Sequence, residues 1–445
     1  MLRDVLVLAV FVWGLYMSLR APFYALMLYL WIAHFRPQSW AWAGWLHDIP
    51  MSLIAAILVF GYTLLAHRRY TMNPLQMFMI LFCIMGAVSA YCSLAPEQSW
   101  RWYPDFLKVV AVTYVMSILV DDLHKFRVAG LVIAFSLGAE AAKQGLVGMI
   151  LHPGGKNSNA IPHLGDNNGV GLGMVILFAI IVGLYQASTE RWQRVALALL
   201  GTGVLLRGVT TYSRGAFLTL AVLSLLLWLQ EKRKFRNALV VVAAVMAFMS
   251  VMPESYFQRM DTISEVFEDE GVQEASAASR IYMWGLAVEM ANDYPFTGVG
   301  FNAYANAYSS YDTMGGRFGL NRSAHGSIPG VLADTGYIGA ILYVSVFLTA
   351  LLYTMRIKRL AQYLERGAEI RIYATALQNA LICFLVGGAF LSYMYYEIVW
   401  HVLGLTAALG LITKSLMVEQ VREGWQAAAQ ERAEPEMAPG KVAYR

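Results

Sequence analysis

Charge is scarce in this sequence. Of its 445 residues only 14% are Asp, Glu, Lys or Arg, 58% are hydrophobic, and the mean hydropathy is +0.52. A soluble globular chain carries about a quarter charged residues, so that class is excluded. Cysteine is also sparse: Cys83, Cys92 and Cys383 lie in or beside apolar runs, at spacings that fit neither a disulfide framework nor a metal site. A His-Glu-x-x-His pair, a Walker loop and a glycine fingerprint between strand and helix are missing, which removes the commonest metalloprotease, nucleotide-hydrolase and dinucleotide readings. No repeat of fixed period occurs. The net charge of +4 says little as a total, and no nucleic acid is expected as a partner.

What the chain has is a succession of apolar stretches. Lipid offers no partner to an open backbone, so a crossing takes the form of a helix of about 20 mostly apolar residues. Spans are expected near 4–34 (interrupted at Arg20-Ala21-Pro22), 51–66, 75–93, 105–120, 128–150, 169–187, 193–209, 214–230, 237–252, 329–355, 373–393 and 397–416. The fold class is therefore all-α, a polytopic transmembrane bundle of about twelve spans. The first segment lacks a small-residue cleavage pattern and reads as retained.

Short loops at His67-Arg68-Arg69, His124 to Arg127, Arg191 to Arg194, Glu231 to Lys234 and Arg356 to Arg371 are basic, which by the positive-inside rule makes them cytoplasmic. The loops at 36–50, 94–104, 152–168, 210–213 and 252–328 then face outward. Taking 4–34 as one broken element gives twelve spans and an inside N-terminus. Trp40, Trp42, Trp45, Trp100 and Trp102 read as an interfacial aromatic belt. Residues 1–418 form the transmembrane domain, and 419–445 read as a disordered cytoplasmic tail.

The 252–328 loop is far longer than ordinary helix connections, and such loops tend to carry function. Within it Ile281, Trp284, Gly285 and Val288 fall at helical spacing after Ser279, a capping residue, and predict an amphipathic helix against the membrane domain. The Pro295 to Gly300 turn ends it, and Gly315-Gly316 marks a flexible stretch.

Three side chains on the outward face stand out. Arg214 opens a span, Arg280 begins the loop helix and His325 precedes the run from Ile328. Taken singly, each has a plain reading: a snorkelling arginine, a solvated arginine and a structural histidine. Together they make an anion site beside a proton acceptor, because two planar guanidinium forks can hold a pyrophosphate without a metal and imidazole suits base chemistry near neutrality. His163, Asn168 and Arg322 are weaker candidates for substrate binding. His163, Asp166, Asn167 and Asn168 also fit as caps of the 169–187 span. Glu140 and Lys143, three residues apart in an apolar run, would be neighbours on one helix face.

Tyr212-Ser213-Arg214-Gly215-Ala216, Arg280 with Trp284 and the Pro295 to Gly300 turn, and His325 followed by Leu332, Gly336 and Gly339 resemble, in that order, the O-antigen ligase and polymerase superfamily over roughly 160–345. Arg20-Ala21-Pro22-Phe23-Tyr24 and Arg36-Pro37 are similar to ligases of exopolysaccharide and exosortase clusters. The resemblance implies an inverting glycosyltransferase of the bacterial inner membrane with no metal and no cofactor. It would move O-antigen glycan from undecaprenyl pyrophosphate to a hydroxyl of lipid A-core oligosaccharide at the periplasmic face. His325 would be the general base, with Arg214 and Arg280 on the pyrophosphate. Where the family often has Asn after the histidine, this chain has Gly326. Rival expectations are an O-antigen polymerase, a protein O-oligosaccharyltransferase and, in another class, a solute transporter with Glu140 and Lys143 on its path.

Overall fold

The computed structural model describes residues 2–65, 72–162, 164–231 and 274–433, with isolated positions 234, 246, 250 and 254. Among the described residues there is no strand. Six helices are long and apolar enough to cross a membrane: Gly44–Leu65, Pro74–Tyr91, Asn167–Ala187, Ser327–Tyr363, Gly367–Gly388 and Glu397–Gln426; Pro22–Phe35 and Arg214–Gln230 are shorter apolar helices. The chain is an all-α membrane bundle. A helix occupies each expected stretch except 237–252, which apart from positions 246 and 250 lies outside the described residues, as does His163.

Small residues let the helices approach closely, as lipid-embedded packing requires. A Cβ on Gly145 would lie 2.1 Å from the Gly203 carbonyl oxygen, joining Leu123–Leu151 to Arg191–Val209. A Cβ on Gly183 would lie 2.4 Å from that of Ala376, joining Asn167–Ala187 to Gly367–Gly388.

Several expectations are corrected. Residues 4–34 are two helices, Leu2–Ser18 and Pro22–Phe35, folded back on each other. Gly14 meets the Leu28 side chain, and the Asp4 carboxylate accepts from Trp42 and Ala43 N–H at 2.7 and 2.9 Å. Pro22 at the second helix's start forces the break, since it cannot continue a preceding helix. The first helix therefore begins on the same side of the bundle as the 36–50 segment. At the other end, the last helix runs on to Ala433, so 419–433 is not structureless. Beyond Val418 the sequence keeps strong helix formers, and no proline appears before Pro435. The expected 373–393 span ends at Gly388, and residues 389–396 cross the site face as irregular chain. Lys143 and Glu140 pair at 2.8 Å, with their side chains 54% and 33% exposed, and so form a surface pair within one helix rather than the lining of an enclosed path.

The described part of the large loop folds on a small core of its own, made by Met283, Leu286, Ala287, Met290, Val299, Tyr304 and Tyr308. Its first helix, Glu274–Asp293, buries this face and leaves Ile281 and Val288 exposed, so the expected apolar face is rotated away. Ser279 lies inside that helix, not at its cap, and Arg280 stands in its second turn. The competing face won because Met283, Leu286 and Met290 meet Tyr304 and Tyr308 of the Tyr304–Tyr311 helix, contacts with no local signature in sequence. The Gly315-Gly316 stretch is tied in part, since Asp312 accepts from Gly316 N–H at 2.6 Å and from the Tyr282 hydroxyl at 2.8 Å.

The loop is fastened at a kink. Gly336, inside Ser327–Leu360, has φ 67 and ψ −171, a conformation essentially reserved for glycine. A Cβ there would lie 2.6 Å from the Pro295 carbonyl oxygen, and one on Gly298 would lie 2.3 Å from the Asp334 carbonyl carbon. Fully buried Asp334 accepts from Ala303 and Tyr304 N–H at 3.1 and 2.9 Å and from the Tyr395 hydroxyl at 3.0 Å. One carboxylate thereby holds the loop and the 389–396 segment to the same helix.

Candidate functional site

The site face is assembled from four helix ends. The Asp166 side chain caps Asn167–Ala187 by accepting from Asn168 and Gly169 N–H at 2.9 and 3.1 Å, as the capping expectation for this residue holds. Ser213 caps Arg214–Gln230 by accepting from Ala216 N–H at 3.2 Å, which makes Arg214 the first residue of that helix. An arginine at a helix N-terminus faces the positive end of the dipole, an arrangement that favours an anion beside both. The preceding turn is wound left-handed at Tyr212, with φ 55, and its hydroxyl donates to the Gly154 carbonyl at 2.6 Å.

Arg280 comes in from the loop helix, half-buried, with its guanidinium 5.9 Å from the centre of the Phe390 ring. Burial and the nearby Arg214 both push its pKa below the usual arginine value. Two guanidinium groups held within electrostatic reach repel each other, and an anion between them relieves that repulsion.

His325 is half-buried and also left-handed, with φ 47. A non-glycine residue in this region costs about 1–3 kcal/mol, and such strain gathers at functional positions. Burial lowers the imidazole pKa from its ordinary 6.5; Arg322 and Arg280 lower it further, while Asp166 opposes them. The ring is thus neutral at neutral pH and open to a proton. The fold brings Arg214, Arg280, Arg322 and His325 to one face. Asn168 reaches it through its side chain, which accepts from Ser213 Oγ at 2.8 Å.

Sequence reading passed over other residues here. Ser327 Oγ donates to the Leu391 carbonyl at 2.7 Å and accepts from Tyr393 N–H at 3.2 Å; Gly326 N–H donates to Ser392 Oγ at 3.3 Å. The Tyr393 hydroxyl donates to Asp166, and that of Tyr396 to the Gly169 carbonyl at 2.7 Å. Arg207, 0% exposed, donates to Gln144 at 3.1 Å and to the Asn157 and Asn159 carbonyls, pinning the 152–166 segment across the bundle. A charged residue set deep in an apolar run was the one available signal for Arg207. For Tyr393 there was none. Among the described residues no cluster of three or more His, Cys, Asp or Glu could hold a metal ion.

Residues 195–344 match the family model described as O-antigen ligase, a stretch that contains Arg214, Arg280, Arg322 and His325, and residues 2–185 match a family of unknown function (DUF5935). The exopolysaccharide production protein ExoQ of Rhizobium meliloti (strain 1021) is 24% identical over 287 residues, which cover 60% of this chain and 63% of that protein's length. The motif order of this chain, its helical membrane bundle and the match across 195–344 together make it similar to the O-antigen ligase-like superfamily and support membership there.

Proposed function

We propose that this protein is a glycosyltransferase of the bacterial inner membrane, working at the periplasmic face, that moves a glycan from undecaprenyl pyrophosphate to an acceptor hydroxyl. The leading reading of the acceptor is lipid A-core oligosaccharide, which makes the enzyme an O-antigen ligase. One observation carries this: Arg280, whose proton affinity is lowered by burial and by Arg214, stands within electrostatic reach of a strained histidine whose own pKa is lowered, in the stretch matching the O-antigen ligase family.

The steps follow from the charges. His325 takes the proton of the acceptor hydroxyl as its oxygen forms a bond to the anomeric carbon. The bond from that carbon to the pyrophosphate oxygen breaks, and its electron pair leaves with the lipid pyrophosphate. Arg214 and Arg280 stabilise the growing negative charge through charge-assisted bonds that are already in place, so little reorganisation is needed. Attack opposite the leaving group inverts the anomeric centre. The permanent guanidinium charges take the part a divalent cation would otherwise play.

A second reading has its own support. The similarity to an exopolysaccharide production protein favours a polymerase, in which the acceptor is another lipid-linked glycan. Purified protein given lipid-linked donor and, separately, lipid A-core or a second lipid-linked glycan distinguishes them. Transfer to lipid A-core in EDTA is expected. Elongation of lipid-linked glycan alone would replace ligase by polymerase, and activity lost in EDTA and restored by magnesium would end the arginine mechanism.

A further inference from the structure

The arginine and histidine modules sit on separate parts of the chain, and hydrogen bonds joined by short covalent links run from Ser213, next to Arg214, to Ser327, two residues after His325. From Arg214 it begins at the helix cap, where Ser213 Oγ donates to Asn168 Oδ1 at 2.8 Å. Asn168 Nδ2 donates to Asp166 Oδ2 at 3.1 Å. A carboxylate only accepts, so the Asn168 amide must turn its nitrogen to Asp166, and its oxygen is left for Ser213. The other carboxylate oxygen, Asp166 Oδ1, receives the Tyr393 hydroxyl. From Tyr393 the line returns through its own N–H to Ser327 Oγ, two residues after His325, while Gly326 N–H is bound by Ser392.

The crossing point is closely fitted. A Cβ on Gly169 would lie 2.7 Å from the Tyr393 hydroxyl oxygen, so the phenol seats against a position that requires glycine. Burial and the adjacent Asp166 both push the Tyr393 pKa up, which keeps it a donor. Partial desolvation pushes the Asp166 carboxyl up, but the bonds from Tyr393, Gly169 and Asn168 outweigh it and hold the group below its ordinary value, which keeps it an acceptor.

We propose that Asp166 and Tyr393 form a strut that sets His325 against Arg214, and so fixes the acceptor-side base relative to the donor pyrophosphate. They are positioning residues, and the idea rests on the transferase reading above. Geometry is where the strut would act: a reacting atom displaced by about 1 Å can cost on the order of 100-fold in rate. Asp166 has a second effect. The charged groups acting on His325 are Arg322 on its own segment, Arg280 on the loop helix and Asp166 across the strut, and Asp166 is the one that favours the imidazolium formed in the reaction.

The test uses full-length protein in a lipid-linked donor transfer assay, with Asp166→Asn, Tyr393→Phe and Ser327→Ala beside wild type. Tyr393→Phe keeps the ring and removes the hydroxyl, which breaks the strut. Asp166→Asn keeps the helix cap but exchanges the charged acceptor for a neutral amide oxygen, which weakens it, and both do least damage to the fold. Ser327→Ala cuts the same line one link further on. Each is expected to lower kcat about tenfold or more with donor KM changed less than about threefold. The double variant Asp166→Asn/Tyr393→Phe should be no worse than the poorer single one, because both changes act on the same bond. In Asp166→Asn the acid limb of the pH–rate profile should also move to lower pH, a change that loss of packing alone would not cause. Rates within twofold of wild type in folded Tyr393→Phe, with an unmoved acid limb in Asp166→Asn, would overturn the strut. Absence of transfer in wild type itself would instead overturn the parent reading.

Discussion

His325 and the arginines are expected to fail in different ways when replaced. In the proposed mechanism the base meets the acceptor, so His325→Ala should abolish most transfer and leave lipid-pyrophosphate binding nearly intact. Arg214→Ala and Arg280→Ala should lose both, each weakening donor binding about tenfold or more, since a hydrogen bond to a charged group contributes about 1.5–3 kcal/mol. Lysine should rescue little because it lacks the planar fork. The sign of the pH dependence follows from the same environment. In the proposed mechanism transfer needs the neutral ring, so kcat/KM is expected to rise as pH climbs through the His325 pKa. Burial, Arg322 and Arg280 place that pKa below 6.5, and the acid limb should lie there too. Donor binding to the three variants, with wild-type transfer followed from pH 5 to 8, checks both. A His325→Ala protein that transfers at near wild-type rate sinks the assignment.

Among the elements, the kink in Ser327–Leu360 decides where the loop sits. Gly336→Ala places a side chain in a glycine-only conformation, 2.6 Å from the Pro295 carbonyl oxygen. It is expected to cost more than the 1–3 kcal/mol typical of backbone strain, roughly, and to detach the Pro295 to Gly300 turn that carries Arg280's helix. Gly61→Ala, with nothing within 4 Å of its Cβ in Met51–Leu65, is the matched control and should hold or raise the melting temperature slightly. Thermal unfolding in detergent compares the two. Equal melting temperatures would mean that the kink does not anchor the loop.

For the molecule as a whole the site face is expected to be periplasmic, with the start of the chain on that side. Two N-terminal helices folded back on each other put the start of the chain on the site face, and Ser309 lies on the loop that covers it. In a Cys83-, Cys92- and Cys383-free background, Leu2→Cys and Ser309→Cys should label with an impermeant maleimide from the periplasmic side, and Arg359→Cys only after permeabilisation. Labelling of Leu2→Cys from the side opposite Ser309→Cys would restore the single broken element and the inside N-terminus. Labelling of Ser309→Cys from the cytoplasm would remove the proposed site from the periplasm.

Sequence alone determined the class and most helix positions, because an apolar run of spanning length has one stable outcome in lipid. It also singled out Arg214, Arg280 and His325, since charge and titratable nitrogen are rare enough here to be conspicuous. The Asp166 cap was legible for the same local reason. Tertiary structure decided what depends on contacts between distant parts of the chain: which face of Glu274–Asp293 is buried, the fold-back of residues 2–35, the kink at Gly336 and the bond from Tyr393 to Asp166. Asp166 and Tyr393 stand 227 residues apart, and a tyrosine in an aromatic-rich membrane chain carries no local mark of its partner. Helix periodicity reports that a face is apolar, but the neighbouring helices choose which of two apolar faces is covered.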